Sequence, residues 1–204
     1  MIKAFFILVA LIFNILIIIL ESYTLIKLKR KTDIFKYYTY LQNLIALVVS
    51  YIFVFYLLLN LINNNIIPEY TRGLRYIATC GLLSTTFIFV FFLGAGKKLS
   101  ITEDDFKKGL SPKLANVILH YICPLLSIIS FIFFEKEILL NNGIWTLIVA
   151  LPSCLYWMVY ILLSVTKKWE EPYNFSTNKI IEILIYIIIP ISFILFSFLL
   201  WNIK

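Results

Sequence analysis

This 204-residue chain has few of the residues from which most soluble catalytic sites are built. It contains one histidine, three cysteines and six glycines, and 14% of its residues are charged. It has no C-x-x-C pair, no cysteine and histidine cluster with zinc spacing, no glycine-rich phosphate loop, and no G-x-S-x-G or H-E-x-x-H motif. The sequence therefore gives no reason to expect a metal ion or an organic cofactor.

The cysteines and the acidic loop residues have simple interpretations. Cys80, Cys123 and Cys154 lie inside three different apolar runs, so we interpret them as small packing residues. The acidic residues between positions 100 and 113 are interspersed with lysines and lack the ligand spacing of a calcium loop. We interpret this segment as a solvated connector.

The chain is rich in apolar residues: 62% of its residues are hydrophobic. A bilayer core about 30 Å thick requires about 20 apolar residues for each helical crossing. Runs of this length without alternating polarity indicate helices rather than the strands of a barrel. We therefore predict an all-α, polytopic integral membrane protein, one domain over residues 1–204, with six transmembrane helices. Their predicted ranges are about 3–21, 37–61, 73–95, 114–134, 143–165 and 179–201.

The net charge of +7 is unevenly distributed between the two sides of this predicted bundle. Basic residues are retained on the cytoplasmic side during insertion, so the richer side is predicted to be cytoplasmic and both termini extracytoplasmic. The charge is then a topology signal, and no nucleic-acid partner is expected. A bias toward Ile, Lys and Asn favours an AT-rich bacterial genome and a bacterial cell membrane. The thirteen residues of the richer side are Lys27, Lys29, Arg30, Lys31, Lys36, Lys97, Lys98, Lys107, Lys108, Lys113, Lys167, Lys168 and Lys179, against Lys3, Arg72, Arg75, Lys136 and Lys204.

Polar residues inside a crossing are costly and are therefore the first candidates for function. His120 and Glu182 are the ionisable groups that we select on this basis. Thr39 and Asn43 are four residues apart, as are Asn116 and His120, so each pair shares a helix face. The second, fourth and sixth helices run in the same direction, and Thr39, His120 and Glu182 all lie near their starts. These side chains are expected to meet in one layer near the cytoplasmic interface.

Acyl transfer is the chemistry that this layer predicts. A threonine hydroxyl needs an adjacent base, and an apolar surrounding keeps an imidazole neutral and able to accept a proton. Thr39 is the candidate nucleophile and His120 the candidate base. The amides of Asn43 and Asn116 are candidate donors to an oxyanion, and Glu182 is a candidate for orienting the second ring nitrogen.

Each of these residues also has a structural interpretation. A hydroxyl on a membrane helix commonly bonds to a backbone carbonyl, a buried histidine can join two helices, and Glu182 is close enough to the interface to reach water. Asn14 is predicted to bond to a neighbouring helix in this way. Two other functions therefore stay open: a non-enzymatic protein that binds or carries a small amphipathic molecule, and a structural membrane subunit.

Three short stretches of the chain resemble two related families. The segment 35–43, FKYYTYLQN, is similar to the K-Y-L-T-F-L-N signature of the androgen-induced membrane proteins, which are six-helix hydrolases of fatty-acid esters of hydroxy fatty acids. The segment 116–124, NVILHYICP, is similar to their histidine motif. It also resembles the H-Y-x-x-P pattern of a related bacterial six-helix family, whose Pro-x-x-x-Tyr step is matched by Pro152 and Tyr156.

The resemblance implies a specific activity and specific residues. It implies that Thr39 is the catalytic threonine and His120 the catalytic histidine of a metal-independent ester hydrolase. The partner that it implies is a membrane lipid or another fatty-acyl ester. It does not indicate the substrate, the oligomeric state or a role for Glu182.

Overall fold

The computed structural model describes residues 2–28, 37–64, 66–94, 109–135, 143–166 and 179–203 of the chain. Within helices it gives the backbone alone for residues 2, 93–94, 165 and 179–182. All regular elements longer than one residue in these ranges are helices, which confirms the all-α class.

Six helices in the described ranges are long and apolar enough to cross a membrane, so the chain is an integral membrane protein of the multi-pass class. The third helix continues as a π-helical turn over Phe89–Gly94, and the fourth contains two further π-helical stretches. The helices are α1 (Ile2–Lys27), α2 (Tyr38–Asn63), α3 (Glu69–Ile88), α4 (Pro112–Phe134), α5 (Trp145–Val165) and α6 (Lys179–Ile203).

Two predicted helix ends were wrong, both at charged residues. Helix α1 continues to Lys27 rather than ending near residue 21, and α3 begins at Glu69 rather than near residue 73. The sequence prediction stopped each helix where a charged side chain interrupts the apolar run. Glu21 is buried in the bundle and Arg72, just before the predicted start of the third helix, is half-buried, so a charge at these positions does not mark an aqueous loop.

Helix α3 occupies the centre of the bundle, where it packs against α2, α4, α5 and α6. It is the least apolar of the six helices, with a mean hydropathy of 1.6, and 61% of its most apolar stretch is buried. Its hydroxyl and guanidinium groups have no water to bond in the hydrocarbon region, so they require partners from neighbouring helices. The polarity of α3 explains its central position.

Neighbouring helices run antiparallel, which gives the bundle two ends. We call the end near Ile7 and Phe53 the terminal end, and the end near Leu28 and Tyr40 the basic end, after the charged connections predicted there. Ile7 packs with Phe53 in one apolar cluster, and Leu28 packs with Tyr40 in another. The two clusters lie at opposite ends of the antiparallel pair α1 and α2.

A buried ion pair joins α3 to the end of α4. Arg75 Nη2 and Nε each lie 3.1 Å from Glu135 Oε1. Arg75 Nη1 donates to Thr79 Oγ1 at 2.8 Å and to Ser127 Oγ at 2.7 Å, and Ser130 Oγ donates to Glu135 at 2.6 Å. The charges compensate each other inside a bundle that excludes water.

Smaller polar contacts join the remaining helices. The Asn14 amide donates to the Ala10 carbonyl at 2.9 Å and to Ser130 Oγ at 3.4 Å, which confirms the predicted bond from α1 to a neighbouring helix. The Tyr76 hydroxyl donates to the Ser197 carbonyl and so fixes α3 to α6.

Helix α5 approaches α3 closely because residue 73 has no side chain. A Cβ atom on Gly73 would lie 2.3 Å from a ring carbon of Trp145. The Trp145 Nε1 group donates to Glu69 Oε1 at 3.1 Å, one turn earlier on α3. Glycine at this position therefore lets the first residue of α5 rest directly on the backbone of α3.

We expect Arg75→Met to destabilise the fold by about 3–5 kcal/mol, because it leaves the Glu135 carboxylate buried and unpaired. Adding Glu135→Gln should recover at least half of that loss. Unfolding by SDS titration in mixed micelles measures both changes. Arg72→Met is the matched control, since Arg72 is half-buried and donates to the Ile67 carbonyl. If Arg72→Met and Arg75→Met lower the free energy of unfolding equally, the ion pair does not contribute the expected stability.

The predicted orientation can be tested at two exposed positions. In a chain otherwise free of cysteine, Ile66→Cys at the terminal end should react with a membrane-impermeant maleimide in intact cells. Lys113→Cys, near the start of α4, should react only after permeabilisation. The reverse pattern would contradict an extracytoplasmic position for the termini.

Candidate functional site

His120 lies in a widened stretch of α4. Residues Ile118–Ile122 form a π-helical turn, and Pro124 follows it directly. Proline has no N–H, so the carbonyl four residues earlier, that of His120, loses its ordinary helical partner. The Thr86 hydroxyl of α3 donates to this carbonyl at 2.7 Å. Pro124 thus opens the backbone of α4 at His120, and α3 supplies the missing hydrogen bond.

The ring of His120 is held on two sides. It is stacked on Phe89 with 4.0 Å between the ring centroids, and its Nδ1 lies 3.4 Å from the Thr85 carbonyl oxygen. A carbonyl only accepts hydrogen bonds, so this contact assigns the ring proton to Nδ1. Nε2 then keeps its lone pair and can accept a proton. The Thr85 carbonyl is therefore placed to orient the ring. The side chain of Glu182, which the sequence considered for this role, lies outside the described residues.

Thr39 is buried in the second position of α2. Its hydroxyl forms no hydrogen bond within the described part of the chain, while its backbone carbonyl accepts from Asn43 Nδ2 at 2.8 Å. The carbonyls three and four residues before Thr39 belong to residues 36 and 35, which lie outside the described part of the chain. Among the described residues the Thr39 hydroxyl is available to react or to bind.

The residues on either side of Thr39 contact the surroundings of His120. Tyr38 belongs to the same apolar cluster as Phe89, the ring stacked on His120. Tyr40 belongs to a cluster with Leu119, the residue before His120. Thr39 and His120 therefore lie in the interior at the same end of the bundle, on helices that pack together. Among the described contacts there is no hydrogen bond between their side chains.

Three amide side chains near this end have atoms without partners. Asn43 Oδ1, both amide atoms of Asn116, and Gln42 Oε1 are buried and form no hydrogen bond. Gln42 approaches α3 at Gly81, where a Cβ atom would lie 2.1 Å from Gln42 Oε1. A buried polar atom without a partner is costly, so such atoms mark places that a ligand or water fills. Asn116 therefore has both amide atoms without a partner, whereas the Asn43 nitrogen already donates to the Thr39 carbonyl and only its oxygen has no partner.

The sequence prediction missed Glu21, Arg75 and Glu135. Glu21 is fully buried, and neither of its carboxylate oxygens has a hydrogen-bond partner. It was missed because the predicted first helix ends at residue 21. A signal was present in the spacing, because Asn14 and Glu21 are seven residues apart, about two turns, and so share one face of α1. Both are buried.

A cleft at the terminal end does not belong to this site. It lies between α1, α2 and the start of α3. No residue that the sequence proposed for catalysis or binding contributes to it. Its lining consists of Lys3, Phe6, Ile7, Asn60, Asn64, Ile66, Ile67, Arg72 and Phe134.

In the described residues, no group of three or more His, Cys, Asp and Glu side chains is placed to hold a metal ion. No protein-family model matches the chain, and no curated protein or solved structure is significantly similar to it. The resemblance to the six-helix hydrolases stays a prediction, so residue roles here rest on the chain's own geometry.

We expect Thr86→Val to destabilise the protein by about 1–3 kcal/mol, because it removes the partner of the buried His120 carbonyl. Thr24→Val is the control, since the buried Thr24 hydroxyl donates only to a carbonyl of its own helix. Thermal unfolding in detergent measures both. If both variants lose the same stability, the hydrogen bond from Thr86 to the His120 carbonyl contributes no more than a bond within one helix.

Proposed function

We propose that this membrane protein hydrolyses or transfers the acyl group of fatty-acyl esters, with Thr39 as nucleophile and His120 as base. The observation that carries the proposal is the orientation of His120. Its ring proton points to the Thr85 carbonyl, which leaves Nε2 as a proton acceptor beside a helix that bears an unbonded threonine hydroxyl. A hydroxyl and an oriented neutral imidazole are the minimum for nucleophilic catalysis by threonine.

The proposed reaction has two steps. Thr39 Oγ1 attacks the acyl carbon while His120 Nε2 takes the hydroxyl proton. The tetrahedral oxyanion accepts hydrogen bonds from the unpartnered Asn116 amide. The bond to the alcohol then breaks, and His120 returns the proton to the leaving oxygen. Water or a second alcohol, deprotonated by His120, releases the acyl group from Thr39.

Thr39 and His120 must come closer for the first step. Hydrogen bonds in catalytic pairs are often long or absent before substrate binds. Among the described residues the Thr39 hydroxyl has no competing partner, so a rotation about its Cα–Cβ bond breaks no hydrogen bond there. An ester group that enters between α2 and α4 would fill the space around the unpartnered amides.

The surroundings of this site favour a lipid substrate. The outward faces of the helices bear exposed apolar side chains such as Val117, Tyr121 and Leu125 on α4, on either side of buried His120. A fatty-acyl chain can lie against this face while its ester group turns inward. The proposed substrate class is therefore an ester dissolved in the membrane.

A second candidate function is to bind a small molecule without catalysing a reaction. It is favoured by the number of unpartnered polar atoms, since Asn116 has no partner at either amide atom and Glu21 none at either oxygen. A small amphipathic molecule could satisfy them with its polar group. In that case His120→Ala would abolish uptake of the molecule into proteoliposomes, and no ester would be cleaved.

The hydrolase proposal is tested by measuring the cleavage of a panel of fatty-acyl esters by the purified protein in lipid nanodiscs. Thr39→Ala and His120→Ala should each lower the rate at least 100-fold, because each removes a group that takes part in bond formation. Thr39→Ser should keep part of the activity. A fluorophosphonate probe should label Thr39, as located by peptide mass spectrometry.

Thr24→Ala is the matched control, since Thr24 is a buried threonine near the basic end that bonds within its own helix. It should keep full activity. If Thr39→Ala and His120→Ala both keep wild-type rates on every ester that the protein cleaves, the assignment of nucleophile and base is wrong.

A further inference from the structure

The cleft at the terminal end brings two positive charges to one cavity. Its volume is about 120 Å³. Lys3 lines it from the first turn of α1, and Arg72 lines it from the first turn of α3. The two side chains belong to different helices, so their presence in one lining comes from the assembly of the bundle. The cleft therefore concentrates positive charge at the end of the bundle where the sequence predicts little of it.

No acidic side chain among the described residues lines this cleft. Glu69 lies three residues before Arg72, but its carboxylate accepts a hydrogen bond from Trp145 of α5. Glu135 pairs with Arg75 at 3.1 Å. The two described carboxylates nearest in sequence to the lining of α3 and α4 therefore have partners elsewhere, and the described lining has a net charge of two positive units.

The guanidinium of Arg72 is held in place by the backbone. Its Nε and Nη2 groups donate to the Ile67 carbonyl at 3.1 and 2.9 Å, and the side chain is half-buried. An arginine at a membrane surface ordinarily extends its charge into water. Arg72 instead turns back over the segment before α3. A charged group that is already fixed loses less conformational freedom when it binds a ligand.

Two amide side chains add neutral donors to the same cleft. Asn60 and Asn64 both line it, one turn apart at the end of α2. Asn64 has a left-handed backbone, with φ of 51°, and its N–H donates to the Asn60 carbonyl at 2.9 Å. Asparagine tolerates this conformation at a helix end. The amide N–H groups of such side chains can donate hydrogen bonds to an anion.

The remaining wall of the cleft is apolar. Phe6 and Phe134 line it, with 6.1 Å between their ring centroids, together with Ile7 and Ile67. The cavity is smaller than the roughly 300–1,000 Å³ of sites that enclose a drug-sized ligand. It lies at the ends of membrane-spanning helices, which is the level of the lipid headgroups. A small anionic group attached to an apolar tail fits this combination of position, size and lining.

We propose that this cleft binds a phosphate group, supplied by a phospholipid of the surrounding membrane. Lys3 and Arg72 neutralise the phosphate charge, and the amides of Asn60 and Asn64 donate to its oxygens. The acyl chains stay outside the cavity, beside the apolar wall. The site lies at the opposite end of the bundle from the proposed active site and does not depend on the ester chemistry proposed there.

The test titrates lipid-depleted full-length protein in dodecyl maltoside with dioctanoylphosphatidylglycerol and follows thermal unfolding. Stability should rise and saturate, because a ligand that binds only the folded state stabilises it. Dioctanoylglycerol has the same chains without the phosphate and should give no saturable rise. Inorganic phosphate should act only at higher concentration, since it makes no contact with the apolar wall. Equal stabilisation by inorganic phosphate would support the same site with a dissolved phosphate as its ligand.

Three variants locate the effect. Lys3→Gln and Arg72→Gln should each raise the lipid concentration at half-saturation about tenfold, because each removes a charge-assisted contact. Lys3 is exposed in the first turn of α1, so its variant keeps the test decisive if Arg72→Gln does not fold. Lys113→Gln is the matched control, since Lys113 is an exposed lysine in the first turn of α4 at the basic end. It should leave the half-saturation concentration unchanged.

Two results would overturn the proposal. In the first, dioctanoylglycerol stabilises the protein as much as dioctanoylphosphatidylglycerol does, which would show that the acyl chains bind without the phosphate. In the second, Lys113→Gln weakens the lipid response as much as Lys3→Gln does, which would show a diffuse attraction between the basic protein and anionic lipid.

Discussion

A guanidinium without access to water constrains how the core of this protein is arranged. Arg75 needs acceptors in several directions, and it obtains them from Thr79 on its own helix and from Ser127 and Glu135 of α4. This requirement holds α3 and α4 side by side in one register. The same register brings the Thr86 hydroxyl to the His120 carbonyl three turns further along α3. The ion pair at the terminal end and the candidate site at the basic end are therefore two results of one helix pairing.

The sequence predicts the number of helices well because apolar length depends only on the thickness of the bilayer. It predicts the interior less well. A charge inside an apolar run looks the same whether it ends the helix, as residue 21 was taken to do, or turns inward to a partner. Glu135 is 60 positions from Arg75 along the chain, so no local pattern links the two residues. Such pairs become visible only when the helices are assembled.

The residues of the candidate site were predictable from the sequence, but their geometry was not. His120, Asn116 and Thr39 could be selected, since polar residues in a crossing are few and their spacing indicates a common face. The orientation of His120 could not be predicted. It depends on a π-helical turn, on the missing N–H of Pro124 and on the carbonyl of Thr85 in another helix. The sequence could name Glu182 as a candidate for the orienting role, but it could not show that the Thr85 carbonyl lies at Nδ1 of the ring.

The contact between Gly73 and Trp145 has a consequence for how this chain can change over time. The indole occupies the space that a side chain at residue 73 would need, so the two positions cannot enlarge independently. In any descendant that acquires alanine or serine at 73, a smaller residue at 145 should accompany it. Correlated substitution at these two positions would identify homologues in which α5 packs on α3 in the same way, even where the rest of their sequences have diverged.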